Sequence, residues 1–234
     1  MRMLSYILLS SLLLLVPTKS LGEEKKGDIA EENNYKFFSF NGMSLSVDAF
    51  GAVNYLISKN LSSEVALEFN IGNRLYPIAE VGYGLCNTTD ETSGIHYKTQ
   101  APYYRVGFNN NFFTNKKKPN PKNYIYGVIR FGWCNFKYDV DTPPITDPVW
   151  GNSTELHLKD VNGACMWGEV GAGVKVKIAK FFHMGWSVRY KLRLSQKNGP
   201  NSRMWYIPGF GTNKSNGFSG TYNLIFDIPF KKQQ

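Results

Sequence analysis

The 234-residue chain is poor in the side chains that most often do chemistry: three cysteines and three histidines, far apart at 86, 134 and 165 and at 96, 157 and 183. None has the spacing of a metal or redox motif, so neither metal nor cofactor is expected. Charged residues make up only 19% of the chain. Helix formers dominate nowhere after the N-terminus, and no later apolar run is long enough to span a bilayer as a helix. The formal charge of +9 does not point to nucleic acid, because the basic residues are spread along the chain and no stripe of bases with stacking aromatics occurs.

What the chain does have is 16 Phe, 14 Tyr, 5 Trp and 22 Gly, a mixture that favours twisted, aromatic-rich strands. Its start reads as an export signal. Arg2 is a short positive beginning, 7–16 is an apolar run too short to cross a membrane, and Ser20-Leu21-Gly22 is a small-x-small cleavage site. The expected organisation is a signal peptide over 1–22, a charged and aperiodic leader over 23–42, a β-barrel over 43–230 and a short tail over 231–234.

From Met43 onward the period is two, the mark of strands whose faces meet different surroundings. Eight runs are readable. The seventh sets Phe182, Met184, Trp186, Val188, Tyr190, Leu192 and Leu194 against His183, Gly185, Ser187, Arg189, Lys191 and Arg193. The sixth and eighth repeat the style with Val170 to Ile178 against Glu169, Lys175 and Lys177, and Phe218 to Phe230 against Thr221, Asn223 and Asp227. Shorter versions occur near Leu45, Val65, Ala79, Tyr104 and Ile125. Tight internal turns are expected near 72–74 and 179–180 and a longer one over 115–122. External loops are expected over 58–61, 85–100, 138–163 and 196–217.

A soluble carrier barrel would place the apolar faces inside. Three features favour the opposite arrangement. Glycines lie on the charged face, acids and bases there nearly balance, and the last strand closes on Phe230, similar to the terminal strand of outer-membrane barrels. The polar face then fills a lumen, and Glu64, Glu68, Glu80, Arg105, Arg130, Glu169, Arg189, Lys191 and Arg193 are expected to form a paired network inside it.

Four stretches, GIHYKT with APYYRVGF (94–108), FKYDV with TDPVWG (136–151), MGWSVRYKLRLS (184–195) and WYIPGFG (205–211), together resemble one Bacteroidota-type family, the domain of unknown function number 6048. More loosely, the architecture is similar to the OmpA and OmpX class of eight-stranded barrels. The family lends no activity and no functional residue.

The expected fold is therefore all-β, a closed antiparallel up-and-down transmembrane barrel of about eight strands, in the outer membrane. The favoured role is a non-enzymatic envelope or surface-interaction protein with a plugged polar lumen. Its expected partners are outer-membrane lipid, lipopolysaccharide and a protein met through the external loops. A lipid-modifying enzyme would need Ser93 beside His96 or Ser153 beside His157. Tyr97, Trp150, Trp205, Tyr206 and Phe210 make the expected loops aromatic, suiting either a binding surface or a rigid cover over the mouth. Cys134 and Cys165, at facing external strand ends, are expected to be neighbours able to form a disulfide.

Overall fold

The computed structural model describes residues 39–49, 51, 61–112, 123–146, 151, 153–199 and 203–228. The expected signal segment, the expected leader up to residue 38, Trp150 and Phe230 lie outside these residues, whereas 40–42 of that leader belong to the first strand.

Eight strands form one closed antiparallel barrel. They are β1 (Phe40–Asp48), β2 (Leu61–Ile71), β3 (Leu75–Thr89), β4 (His96–Asn111), β5 (Asn123–Asp141), β6 (His157–Lys177), β7 (Phe182–Lys197) and β8 (Asn216–Ile228). Each pairs with its sequence neighbour, and β1 closes on β8 through Met43↔Ile228 to Asp48↔Asn223. Two two-residue ribbons complete the sheets: Ile145–Thr146 with Ser153–Thr154, and Tyr206–Ile207 with Gly211–Thr212.

Alternation sets the faces. Along β7, His183, Ser187, Arg189 and Lys191 are buried, whereas Val188 keeps 62% of its surface exposed; Val81 on β3 keeps 53%. Such a continuous exposed apolar surface is what a lipid-facing wall requires, and it is the reverse of a soluble carrier. From Phe182 to Leu194 the outward apolar run covers about 40 Å of strand, standing about 30 Å tall at the usual barrel tilt, the thickness of a hydrocarbon core. Aromatic pairs border it: Tyr104 with Trp133 (5.7 Å) and Tyr190 with Phe218 (5.0 Å) towards one end, Phe182 with Phe226 (5.2 Å) towards the other.

At the second end the β2–β3 and β6–β7 connections are short. In the β2–β3 turn Gly72 and Asn73 both take left-handed φ (61° and 56°), and Asn70 Oδ1 accepts the Asn73 amide at 2.9 Å. At the first end the strands run well past the apolar belt. The segments expected as loops over 85–100 and 138–163 are largely strand: β3 reaches Thr89, β4 begins at His96, β5 runs to Asp141 and β6 starts at His157. The β3–β6 wall thus projects as a sheet beyond the membrane.

Candidate functional site

The barrel interior is the most organised polar site, and it is layered. In the middle layer Glu64, Glu80 and Glu169, from β2, β3 and β6, meet Arg105, Arg130, Arg189 and Lys191 from β4, β5 and β7. Arg105 is shared. It pairs with Glu64, with Glu80 through Nε at 2.8 Å and with Glu169 through Nη1 at 3.1 Å. Arg189 reaches across the axis to Glu80 (3.3 Å) and also meets Glu169 on the neighbouring β6 (3.4 Å). Cross-strand register places Arg130 beside Glu169, yet its Nε bonds Glu80 at 3.0 Å and its Nη2 donates to Asn109 Oδ1 at 2.7 Å. Glu169 also accepts from Trp167 Nε1 at 2.7 Å, and Tyr103 Oη donates to Glu64 at 3.1 Å.

Towards the short-turn end, Glu68 accepts from Lys175 Nζ (2.9 Å) and Asn109 Nδ2 (2.7 Å). Below it Tyr76 stacks on Tyr124 at 5.3 Å, and His183 Nδ1 lies 3.3 Å from Asp227. Among the described residues four lumen glutamates thus face five cations, because Lys175 joins the expected network through Glu68. Arg193 leaves that network: it is half-buried and bonds Asn213 in the β7–β8 connection, with no carboxylate partner. It pairs with Trp167, two residues outward along β7 from the Glu169↔Lys191 pair, which sets it above the charged layer.

Above the charges the lumen is apolar. Tyr97, Tyr103, Phe136, Tyr138, Val140, Val161 and Trp167 point inward and are capped by Met204, Ile207 and Phe210 of the β7–β8 connection. The cap is tied down at several points. Lys191 Nζ donates to the Gly209 carbonyl at 2.7 Å, Tyr97 Oη donates to the Tyr206 carbonyl at 2.9 Å, and Trp205 stacks on Tyr97 at 5.8 Å. Tyr103 makes glycine obligatory on both sides. A Cβ on Gly82 or on Gly209, the latter at φ +78°, would fall within 2.4 Å of its ring atoms. Of the two roles the sequence allows for these aromatics, the geometry has the cover: Tyr97 and Phe210 are buried and Trp205 and Tyr206 half-buried, because the connection folds back into the mouth.

The lumen cavity among Glu64, Glu80, Arg130, Lys175 and Arg189 measures about 20 Å³, room for about one water. A wider cleft of about 480 Å³ opens beside the cap and reaches Glu64, Arg105 and Lys191. Arg105 and Lys191 there are already engaged by glutamates or cap carbonyls.

The remaining candidates separate. His96 and His157 sit on strand tips, both in register with Asp141. His157 Nδ1 lies 2.8 Å from Asp141 and its Nε2 3.1 Å from Glu155. Ser93 Oγ donates to Asp90 at 2.6 Å while His96 Nδ1 meets Thr89 Oγ1 at 2.9 Å, so the structure forms no Ser–His pair there. Cys86, Cys134 and Cys165 are free thiols and buried together in the aromatic cluster. Cys134 and Cys165 lie in mid-strand, not at strand ends, since β5 and β6 run on for at least seven residues beyond them, whereas Cys86 is three residues from the end of β3.

No curated protein sequence matches the chain. Among solved structures, the chain is similar to Ail, the attachment invasion locus protein of Yersinia pestis, crystallised with the heparin analogue sucrose octasulfate, at 10% identity, TM-score 0.38, covering 81% of this chain and 99% of that one. It is likewise similar to CarO of Acinetobacter baumannii, at 11% identity and TM-score 0.40, covering 81% and 98%. A family model described as a domain of unknown function matches residues 2–233, and the chain accordingly belongs to the DUF6048 family.

Proposed function

We propose that this protein is an exported, non-enzymatic outer-membrane barrel that does not conduct and that serves as a membrane-anchored platform for its projecting β3–β6 sheet. The carrying observation is closure of the lumen by a cross-axis charge network in the middle, beneath a docked aromatic cap that fills the mouth except for the cleft beside it. Eight strands enclose only enough room for side chains, and here that room is taken. The surface left for contact is the outward part of the sheet, polar above the belt at Asn135, Lys137 and Asp139, where it would meet lipopolysaccharide headgroups or a protein partner.

Two measurements test this reading. Fractionation with a heat-modifiability gel should place the protein in the outer membrane as a species whose mobility changes on boiling. Planar-bilayer recordings of the refolded barrel should show no reproducible single-channel steps; steady steps would replace the platform with a small-solute pore.

A further inference from the structure

We propose that Cys134 and Cys165 are joined by a disulfide in the exported protein, a covalent clamp across the β5–β6 hairpin. The register makes them direct partners, Cys134↔Cys165, on antiparallel strands. Directly opposed residues have Cα atoms about 4.5 to 5.5 Å apart, inside the range a disulfide spans. Both side chains point to the same side, into the aromatic cluster, and keep 1% and 2% of their surface.

The location gives the clamp a purpose. The β4–β5 ladder breaks just here: pairing skips from Thr99↔Tyr138 to Tyr104↔Trp133, so Cys134 to Lys137 have no β4 ladder partner. Pro102, which has no N–H to give, lies in the skipped stretch of β4. On the far side of β6 the ladder is displaced by the Met166/Trp167 bulge. At this level β5 has no ladder to β4, so its hold on the wall runs through the β5–β6 pairing, and a bond between these two strands secures the pairing on which it depends.

The chemistry balances with a protein disulfide of the export compartment as oxidant. The thiolate of one cysteine attacks that disulfide, one of the oxidant's sulfurs leaves as a thiol, and the second cysteine displaces the other. The S–S bond forms as the oxidant's bond is reduced, and two protons pass to the oxidant's thiols. Once Met204, Ile207 and Phe210 are seated the sulfurs are covered, so oxidation comes before the cap docks. Cys86 on β3 is the odd thiol of the cluster and remains reduced.

The inference rests on the export reading, and the experiment separates the two. Protein from fractionated cells is acid-quenched, denatured and treated with N-ethylmaleimide before and after reduction, and intact masses are read. Outer-membrane material should carry one adduct without reduction, mapped to Cys86, and three with it. The Cys86→Ser variant should carry none and then two. Three adducts on unreduced outer-membrane protein, or a bond mapped to Cys86, would overturn the clamp while leaving the export reading standing. Recovery of the protein in the soluble cytosolic fraction would overturn both.

Discussion

Glu169 keeps 1% of its surface, accepts from Trp167 and faces Arg105, Arg189 and Lys191. Removing one member of a buried charge set strands the others, at a typical cost of about 3 to 5 kcal/mol. Glu169→Ala should therefore destabilise the barrel several-fold more than Val170→Ala on its lipid face, where losing two methyl groups costs about 1 to 2 kcal/mol at most. Urea unfolding of the two variants in lipid vesicles gives the comparison, and equal losses would mean that the charges contribute little. A second residue-scale prediction concerns His157, whose pKa is raised above the ordinary 6.5 by its bond to Asp141 first and to Glu155 second. A raised folded-state value means that the tie is complete below the unfolded pKa and is lost as pH climbs through the folded one. His96 and Lys159, the neighbouring bases, act on the pair through Asp141. Asp141→Asn should move the His157 titration, followed by NMR in micelles, downward towards 6.5; an unmoved curve would mean that Asp141 does not hold the ring.

At the scale of the element, the cap is the piece whose placement the sequence leaves open. The aromatics of 205–210 were legible, but their direction was not, since a loop carries no periodicity to say which way it folds. Gly209 offered a hint only with Tyr103 in view. Gly209→Val combines a left-handed φ with a ring clash, a strain of about 1 to 3 kcal/mol or more, and should undock the cap. Trypsin should then cut after Arg203, which is exposed, markedly faster than in the wild type, and unchanged cleavage would show a cap that tolerates the side chain. The strand extensions were hidden for a different reason. In β5 the outward apolar residues Ile125, Ile129, Phe131 and Trp133 have odd numbers, while beyond them Phe136, Tyr138 and Val140 are buried at even numbers. The period continues but its phase inverts where lipid gives way to water. Reading stopped at the break, although the break itself marks the membrane surface.

For the molecule as a whole, the lumen charges and the apolar outer faces were legible because each strand samples both environments along its length. Cross-axis partners were not, because alternation gives a face but not a distance, so Arg130 bonds Glu80 on β3 and not its register neighbour Glu169. The two seals are stacked, which yields a further expectation. A variant with 203–213 replaced by a Gly-Ser linker should still fail to conduct in a planar bilayer, because the charged layer below remains intact. Single-channel steps from that variant would show that the cap alone closes the barrel. The same network also bears on assembly. Arg189 and Glu80 stand 109 positions apart in the chain, and Arg105 draws on three strands at once. The β3–β4 hairpin can pair Glu80 with Arg105 by itself, but β1–β2 brings Glu64 and Glu68 without a base and β7 brings Arg189 and Lys191, so partial insertions of those strands carry stranded charge and are driven back. The insertion machinery must therefore shelter nearly the entire sheet before release, and the last seam, β1 to β8, commits the rest.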